Sequence, residues 1–223
     1  MDKPIEITMT SDFICPWCFV AERRLQQAAD DEGLDISIRF RPYELNPDMP
    51  EDGLNRKTYR SSKFGSWERS VQLDQGTVRA AKDDPLEFDY AAMELTPNTR
   101  AAHRLVWYVQ RHAPAKEAAI VDAILAGYFS RGVNIGDVNA LANIAQEIGF
   151  TRAEVVAFLA GDAGSREVAA LEREAASSGV RGVPHIQIGD THLYGAESAG
   201  NMRKALREAA ATPLNSNPAT LQS

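Results

Sequence analysis

The only cysteines in this 223-residue chain, Cys15 and Cys18, enclose Pro16 and Trp17. Two thiols at this spacing can cycle between a dithiol and a disulfide. Their place in the chain favours that use. Ile5-Glu6-Ile7-Thr8-Met9-Thr10 alternates apolar and polar as a half-buried strand does, and a helical pattern runs from the cysteines to about Glu32. The pair therefore sits where a strand ends and a helix begins. Free amides and the positive end of the helix dipole stabilise an anion there, which is the setting that activates a thiol as a nucleophile. Cys15, at the helix entrance, is expected to be the exposed thiolate that attacks. Cys18, one turn further in, is expected to resolve the mixed disulfide. Pro16 suits the first turn, where its missing donor is not needed. Trp17 would project beside the pair and shield one side of it.

Two other uses of the pair are open. One is half of a zinc site, but closed structural zinc needs four ligands and there is no second C-x-x-C. His185 and His192, facing each other across a hairpin, are the nearby candidates. The other is a pair of inert buried thiols. A structural staple is a poor alternative, because so short a loop constrains the unfolded chain little and lone disulfides are rare in a reducing compartment. C-x-x-C beside a βαβ pattern favours redox work, and the expectation is no metal.

The elements that must position the cysteines follow from the pattern. Phe19, Val20, Leu25 and Ala28 form the apolar stripe of the first helix, and Gly33 stands where a left-handed cap belongs. Ile36 to Phe40 alternates as a second strand, limited by Pro42. Strand, helix, strand implies a parallel pair with a right-handed crossover. From Leu45 to Ser178 no strand is evident. Helices are expected over roughly 68–82, 99–112, 116–131, 137–148, 152–159 and 165–178. Asn98 or Thr99 would cap the second of these, and Gly132, Gly149 and Gly161 would close three others. Trp107, Tyr108, Tyr128 and Phe129 fall at helical spacing, as core residues do. Tyr59, Phe64 and Trp67 lie in a less regular stretch, a candidate lid.

After Gly179-Val180-Arg181-Gly182 the β pattern returns. Val183 to Ile188 alternates, Gly189-Asp190 is a hairpin signal, and Thr191 to Tyr194 closes the hairpin. A last helix is expected from about Ser198 to Ala210, and the polar tail 212–223 is expected to be disordered. The fold class is thus α/β. Residues 1–45 and 179–211 supply the βαβ and ββα halves of one sheet, with 46–178 as a helical insertion. Pro184 opens the returning half. If Val183-Pro184 is cis and faces Cys15, the Val183 backbone can pair with an extended substrate segment. A trans proline at a strand start is the alternative.

A net charge of -7 and a pI near 5.2 argue against nucleic acid as a partner. Short basic clusters such as Arg23-Arg24 alternate with acids and read as a solvated helix face. No run approaches the ~18 apolar residues of a membrane span. The N-terminus lacks the pattern of a secretory signal, so a cytoplasmic location is expected.

Together these pieces resemble the DsbA-like branch of the thioredoxin superfamily, and within it the FrnE-type group related to 2-hydroxychromene-2-carboxylate isomerases. The carrying residues are Ser11-Asp12-Phe13-Ile14-Cys15-Pro16-Trp17-Cys18, Arg41-Pro42-Tyr43-Glu44-Leu45-Asn46-Pro47, Asn98-Thr99 with Ala102-His103-Arg104, and Gly182-Val183-Pro184 followed by Tyr194-Gly195-Ala196. The resemblance implies a thioredoxin fold with a helical insertion, Cys15 as nucleophile, Cys18 as resolving thiol, and Val183-cis-Pro184 facing them. It also implies that Pro16, Trp17, Asn98 and Thr99 line a substrate cleft. Two departures stand out. Many relatives carry a buried acid six positions before the first cysteine, where this chain has Met9; proton exchange with Cys18 must then use water or another group, with Asp12 and Glu44 as candidates. After the cis-proline this chain has His185, for which a structural role is expected.

The leading function is dithiol–disulfide exchange on protein or small-molecule thiols. No tightly bound cofactor is expected, and glutathione is a candidate co-substrate. A glutathione-dependent isomerase is the alternative, against which a complete cysteine pair counts. A binding module, either a holdase or a metal binder, is a third. Monomer and homodimer are both open.

Overall fold

A computed structural model describes residues 3–211. The expected disordered tail, 212–223, lies outside the described residues. The first β half forms as its pattern implies. Strand β1 (Ile5–Ser11) runs parallel to β2 (Ile36–Pro42), and helix α1 (Pro16–Glu32) joins them. Gly33 ends α1 at φ 61°, its amide closing back onto the helix carbonyls. In the second half, β5 (His185–Ile188) lies antiparallel to β1 and β6 (Thr191–Tyr194) lies antiparallel to β5. The sheet order is β2-β1-β5-β6. This is the thioredoxin arrangement with a large helical insertion between its halves.

The register explains the core. Ile7, Met9, Ile38, Phe40, Ile186 and Ile188 share one face and are all buried. Against that face lie α1 and the last helix, which spans Ala199–Ala211, together with a helix of the insertion. The opposite positions Glu6, Ser37, Arg39, Gln187, His192 and Tyr194 are exposed.

The insertion begins with a two-residue ladder, β3 (Leu54–Asn55) against β4 (Leu95–Thr96), which is too short to leave an alternating pattern. Between these strands lie α2 (Arg56–Phe64) and α3 (Trp67–Ala80). The stretch containing Tyr59 and Phe64 is therefore a helix and not an irregular lid. Asn55 caps α2 by accepting from the Thr58 amide, and Gly65 ends it at φ 90°. Then follow α4 (Arg100–His112), α5 (Glu117–Arg131), α6 (Val138–Glu147), α7 (Arg152–Ala160) and α8 (Ser165–Ser177), with the Ala199–Ala211 helix as α9.

Gly132 is left-handed at the end of α5 as expected, but Gly161 is extended at φ -88°. Its carbonyl instead accepts from the buried Arg104 guanidinium. Tyr128 and Phe129 are core residues, whereas Trp107 and Tyr108 are half-buried.

Ionic ties lock the insertion to the sheet domain, and one of them corrects the solvated-face reading of Arg23-Arg24. Arg24 chelates Asp84 at 3.0 Å and also donates to the carbonyls of Ala80, Ala196 and Glu197. Arg23 pairs with Asp122 of α5, and Glu22 beside it is buried. The acids that meet the two arginines, Asp84 and Asp122, come from the insertion and not from the neighbouring sequence. Glu117 of α5 likewise accepts from the Phe40 amide at 2.6 Å and from Gln110 at 2.7 Å.

Candidate active site

Cys15 occupies the cap position of α1 in an extended conformation (φ -91°, ψ 108°), with Pro16 beginning the helix. No side chain caps this end, so the positive end of the helix dipole faces Cys15 unopposed. The Cys15 amide closes a tight turn onto the Asp12 carbonyl at 3.1 Å, and the Cys18 amide closes the next onto Cys15 at 3.0 Å. Across the cleft, the Val183–Pro184 peptide bond is cis. The Cys15 thiol donates to the Val183 carbonyl oxygen at 3.7 Å. Pro184 is held by the Gly195 amide, which donates to its carbonyl at 2.9 Å.

Both thiols are free. Cys18 is fully buried, and burial is the chief reason its thiol is pushed well above the ordinary range. The hydrogen bond and charge of Cys15 push the same way, as does the Asp12 carboxylate, while a backbone hydrogen bond at Asp12 opposes them. The two cysteines thus sit in unequal environments. Against the expectation of an exposed thiol, Cys15 is buried at 5% exposure at the helix entrance, covered by the Val183 carbonyl, and Cys18 is a protonated reserve behind it. Trp17 between them is 39% exposed.

Behind the cysteines is a polar cluster that spacing alone did not reveal. The Asp12 side chain is completely buried; one carboxylate oxygen accepts from the Leu45 amide at 2.7 Å, and the other lies 3.3 Å from Nε2 of His103. His103 is buried on α4 and packs against the Phe13 ring at 4.9 Å. Glu172 of α8 accepts from the Glu44 amide at 2.9 Å, and burial raises its carboxyl, with Glu44 adding to the effect and His103 opposing it. Glu44 itself pairs with Arg100 at 2.9 Å. One clue to His103 existed in the sequence: a histidine on the apolar stripe of an amphipathic helix needs a buried partner.

Asn98 and Thr99 stand just before α4. The Asn98 amide donates to the Met49 carbonyl at 2.7 Å and accepts from the Arg100 amide at 2.9 Å. Thr99 is buried, and its carbonyl accepts from the His103 amide at 3.0 Å. No hydrogen bond joins either residue to a cysteine among the described residues; the link runs through His103 to Asp12.

His185 and His192 do meet, with Nε2 and Nδ1 3.0 Å apart. His185 is buried under Tyr194, its ring 4.9 Å away, and burial lowers its pKa, with His192 adding to the effect. Among the described residues no group of three or more His, Cys, Asp or Glu side chains is placed to hold a metal ion. Nor is any helix among them long and apolar enough to cross a membrane.

A family model, the DSBA-like thioredoxin domain, matches residues 6–207. The chain belongs to that family. Among solved structures, this DsbA-like protein superposes on a probable DsbA oxidoreductase, SCO1869 of Streptomyces coelicolor, with a TM-score of 0.83 and 28% identity, covering 96% of this chain and 94% of the other. A 2-hydroxychromene-2-carboxylate isomerase is similar at a TM-score of 0.73 and 20% identity, covering 92% and 96%. The cytosolic disulfide reductase DsbM of Pseudomonas aeruginosa, solved with GSH, is similar at 0.64 and 17%, covering 92% and 99%. At those identities the last two speak for the fold alone.

Proposed function

We propose that this DsbA-like protein is a thiol–disulfide oxidoreductase working through a Cys15–Cys18 couple on protein or small-molecule thiols. The observation that carries this reading is the pairing of Cys15, against the Val183 carbonyl at 3.7 Å, with a fully buried Cys18 one turn behind. In the reducing direction the Cys15 thiolate attacks a substrate disulfide, one substrate sulfur leaves as a thiolate, and a mixed disulfide forms. Cys18 then gives up its proton and attacks Cys15 Sγ. The Cys15–Cys18 bond forms, the second substrate sulfur leaves, and two electrons have passed to the substrate. The oxidising direction reverses these steps. Val183, Pro184 and Trp17 would border the incoming chain, and an extended segment can pair with the Val183 backbone.

Glutathione is the proposed small-molecule partner, and the cytoplasm, where it is abundant, the proposed setting. A fold neighbour described as a cytosolic reductase bound to GSH supports both. No tightly bound cofactor or metal is part of the reading.

A redox titration tests it. The protein is equilibrated in graded reduced and oxidised glutathione, and free thiols are trapped and counted. The expected result is a cooperative two-thiol transition. Thiols that never pair would overturn the reading. Isomerase activity that survives in Cys18→Ser would then point to the glutathione-dependent alternative, which the isomerase-like fold also allows.

A further inference from the structure

The cis-proline peptide that faces Cys15 is tied to more than the sheet. Resting on the dithiol reading above, we infer that Arg24 is a positioning residue of the substrate cleft. By gripping the turn between β6 and α9, it fixes the Val183–Pro184 peptide opposite Cys15 and so sets how tightly an extended substrate segment is held.

The chain of contacts is continuous. The Val183 carbonyl lies 3.7 Å from the Cys15 sulfur, and the Pro184 carbonyl accepts from the Gly195 amide at 2.9 Å. Gly195 starts the turn at φ 77°, and its carbonyl accepts from the Glu197 amide at 3.0 Å. The next two carbonyls, those of Ala196 and Glu197, accept from Nη1 of Arg24 at 3.0 and 3.2 Å. Side-chain packing offers little support on either flank, since a Cβ at Gly182 or at Gly195 would meet nothing within 4 Å.

Arg24 is built for this grip. Its Nε lies 3.0 Å from both Asp84 oxygens, and its Nη2 meets the Ala80 carbonyl at 2.7 Å and Asp84 at 2.9 Å. Every nitrogen of the guanidinium is engaged, and its planar fork is fixed from the insertion before it reaches the turn. The Arg24 side chain is 14% exposed and that of Asp84 10%, so water is a poor substitute for either. The turn that guides the cis-proline is thereby hung from α1 and the insertion together. The other arginines nearby serve elsewhere: Arg23 meets Asp122 of α5, while Arg203 and Arg207 bind Asp31 and Glu32 at the far end of α1.

Arg24 stands about 2.5 turns along α1 from Cys15, so its influence on the chemistry runs through the turn. Its loss should weaken substrates that lie along the Val183 backbone and spare those that meet only the Cys15 sulfur.

The test gives the reduced full chain two coloured substrates: a nitrobenzoate disulfide, and an extended peptide whose single cysteine carries the same nitrobenzoate group. With either, the Cys15 thiolate forms a mixed disulfide and the nitrobenzoate thiolate leaves. In Arg24→Gln the half-saturating concentration of the peptide should rise about tenfold, while its maximal rate and the rate with the small disulfide stay within about twofold. Arg203→Gln, which cuts a tie between α9 and α1 away from the turn, should change neither. An equal loss on both substrates in Arg24→Gln, or no loss, would overturn the inference. Should that variant fail to fold, Arg24→Lys replaces it, keeping a charge for Asp84 without the fork that reaches the turn. The loss should again fall on the peptide alone, and the same two results would overturn the inference. A wild type that releases no thiolate from the small disulfide would instead sink the dithiol reading itself.

Discussion

The Cys15 thiol lies 3.7 Å from the carbonyl oxygen of Val183, a residue 168 positions away in the chain. The whole helical insertion separates them, yet the sheet makes them neighbours. β1 delivers Cys15 at its carboxyl end, and β5, antiparallel beside it, begins at the same end just after Val183. The pairing of Thr10 with His185 sets this alignment. A slip of one residue would turn Ile186 and Ile188 off the core face and also move the carbonyl from the thiol.

The unequal environments of the two cysteines lead to unequal variants. Cys15→Ser should lose disulfide exchange entirely, because the remaining thiol is fully buried and protonated. Cys18→Ser should still attack and then stall. Mass spectrometry after exposure to oxidised glutathione should find one glutathione adduct on Cys18→Ser and none on Cys15→Ser. Equal labelling of the two variants would contradict the assignment.

Glu22 should make stability depend on pH. Burial chiefly, and then the Asp122 charge, raise its carboxyl from 4.5 to about 7, with Arg23 opposing. The native state therefore holds a proton between these values that the unfolded chain has released. Native stability falls as pH rises through this window and reaches its full penalty above 7. Glu22→Gln removes the titration. It should be more stable than wild type by about 3 kcal/mol at pH 8, with the difference vanishing below pH 4.5. Urea unfolding at the two pH values measures this, and equal differences at both would refute it.

Arg104 tests what holds the insertion together. Its guanidinium, 8% exposed as a residue, donates to the carbonyls of Phe158, Leu159, Gly161 and Ala163. Arg104→Met keeps the apolar stem and leaves these oxygens without their donor. The expected cost is about 3 kcal/mol, since hydrogen bonds to a charged group contribute roughly 1.5–3 kcal/mol each and solvent recovers some of the loss. The Cys15 reaction rate should stay within about twofold, and a larger change would mean that the loop after α7 reaches the active site.

These relationships were unevenly legible in the sequence. The strand before Cys15, the hairpin at Gly189 and most insertion helices were readable, because period and punctuation are local signals. The β3–β4 ladder was not, since two residues cannot show a period. Helix α2 was missed because Arg56, Lys57, Arg60 and Lys63 mask its apolar face; the Arg56 guanidinium packs 5.7 Å from the Trp67 ring and pairs with Asp74. Arg23 and Arg24 misled for a related reason: a charge beside acids looks solvated until the partner helix is in place. Asp12 could be named as a candidate from its nearness to Cys15, but its partner His103 is 91 positions away and only the folded chain brings them together.

Two roles compete for Asn98: the family resemblance places it in the substrate cleft, while both ends of its amide are engaged within the chain. It ties the Met49 loop and caps α4 through the Arg100 amide. The structural role predicts that Asn98→Ala loses about 1–2 kcal/mol of stability, a typical cost for a cap and a loop tie. The KM for oxidised glutathione should then change less than threefold. A stability unchanged within 0.5 kcal/mol, with KM raised tenfold or more, would assign the residue to substrate instead. Denaturant unfolding and steady-state turnover of the same preparation separate the two outcomes.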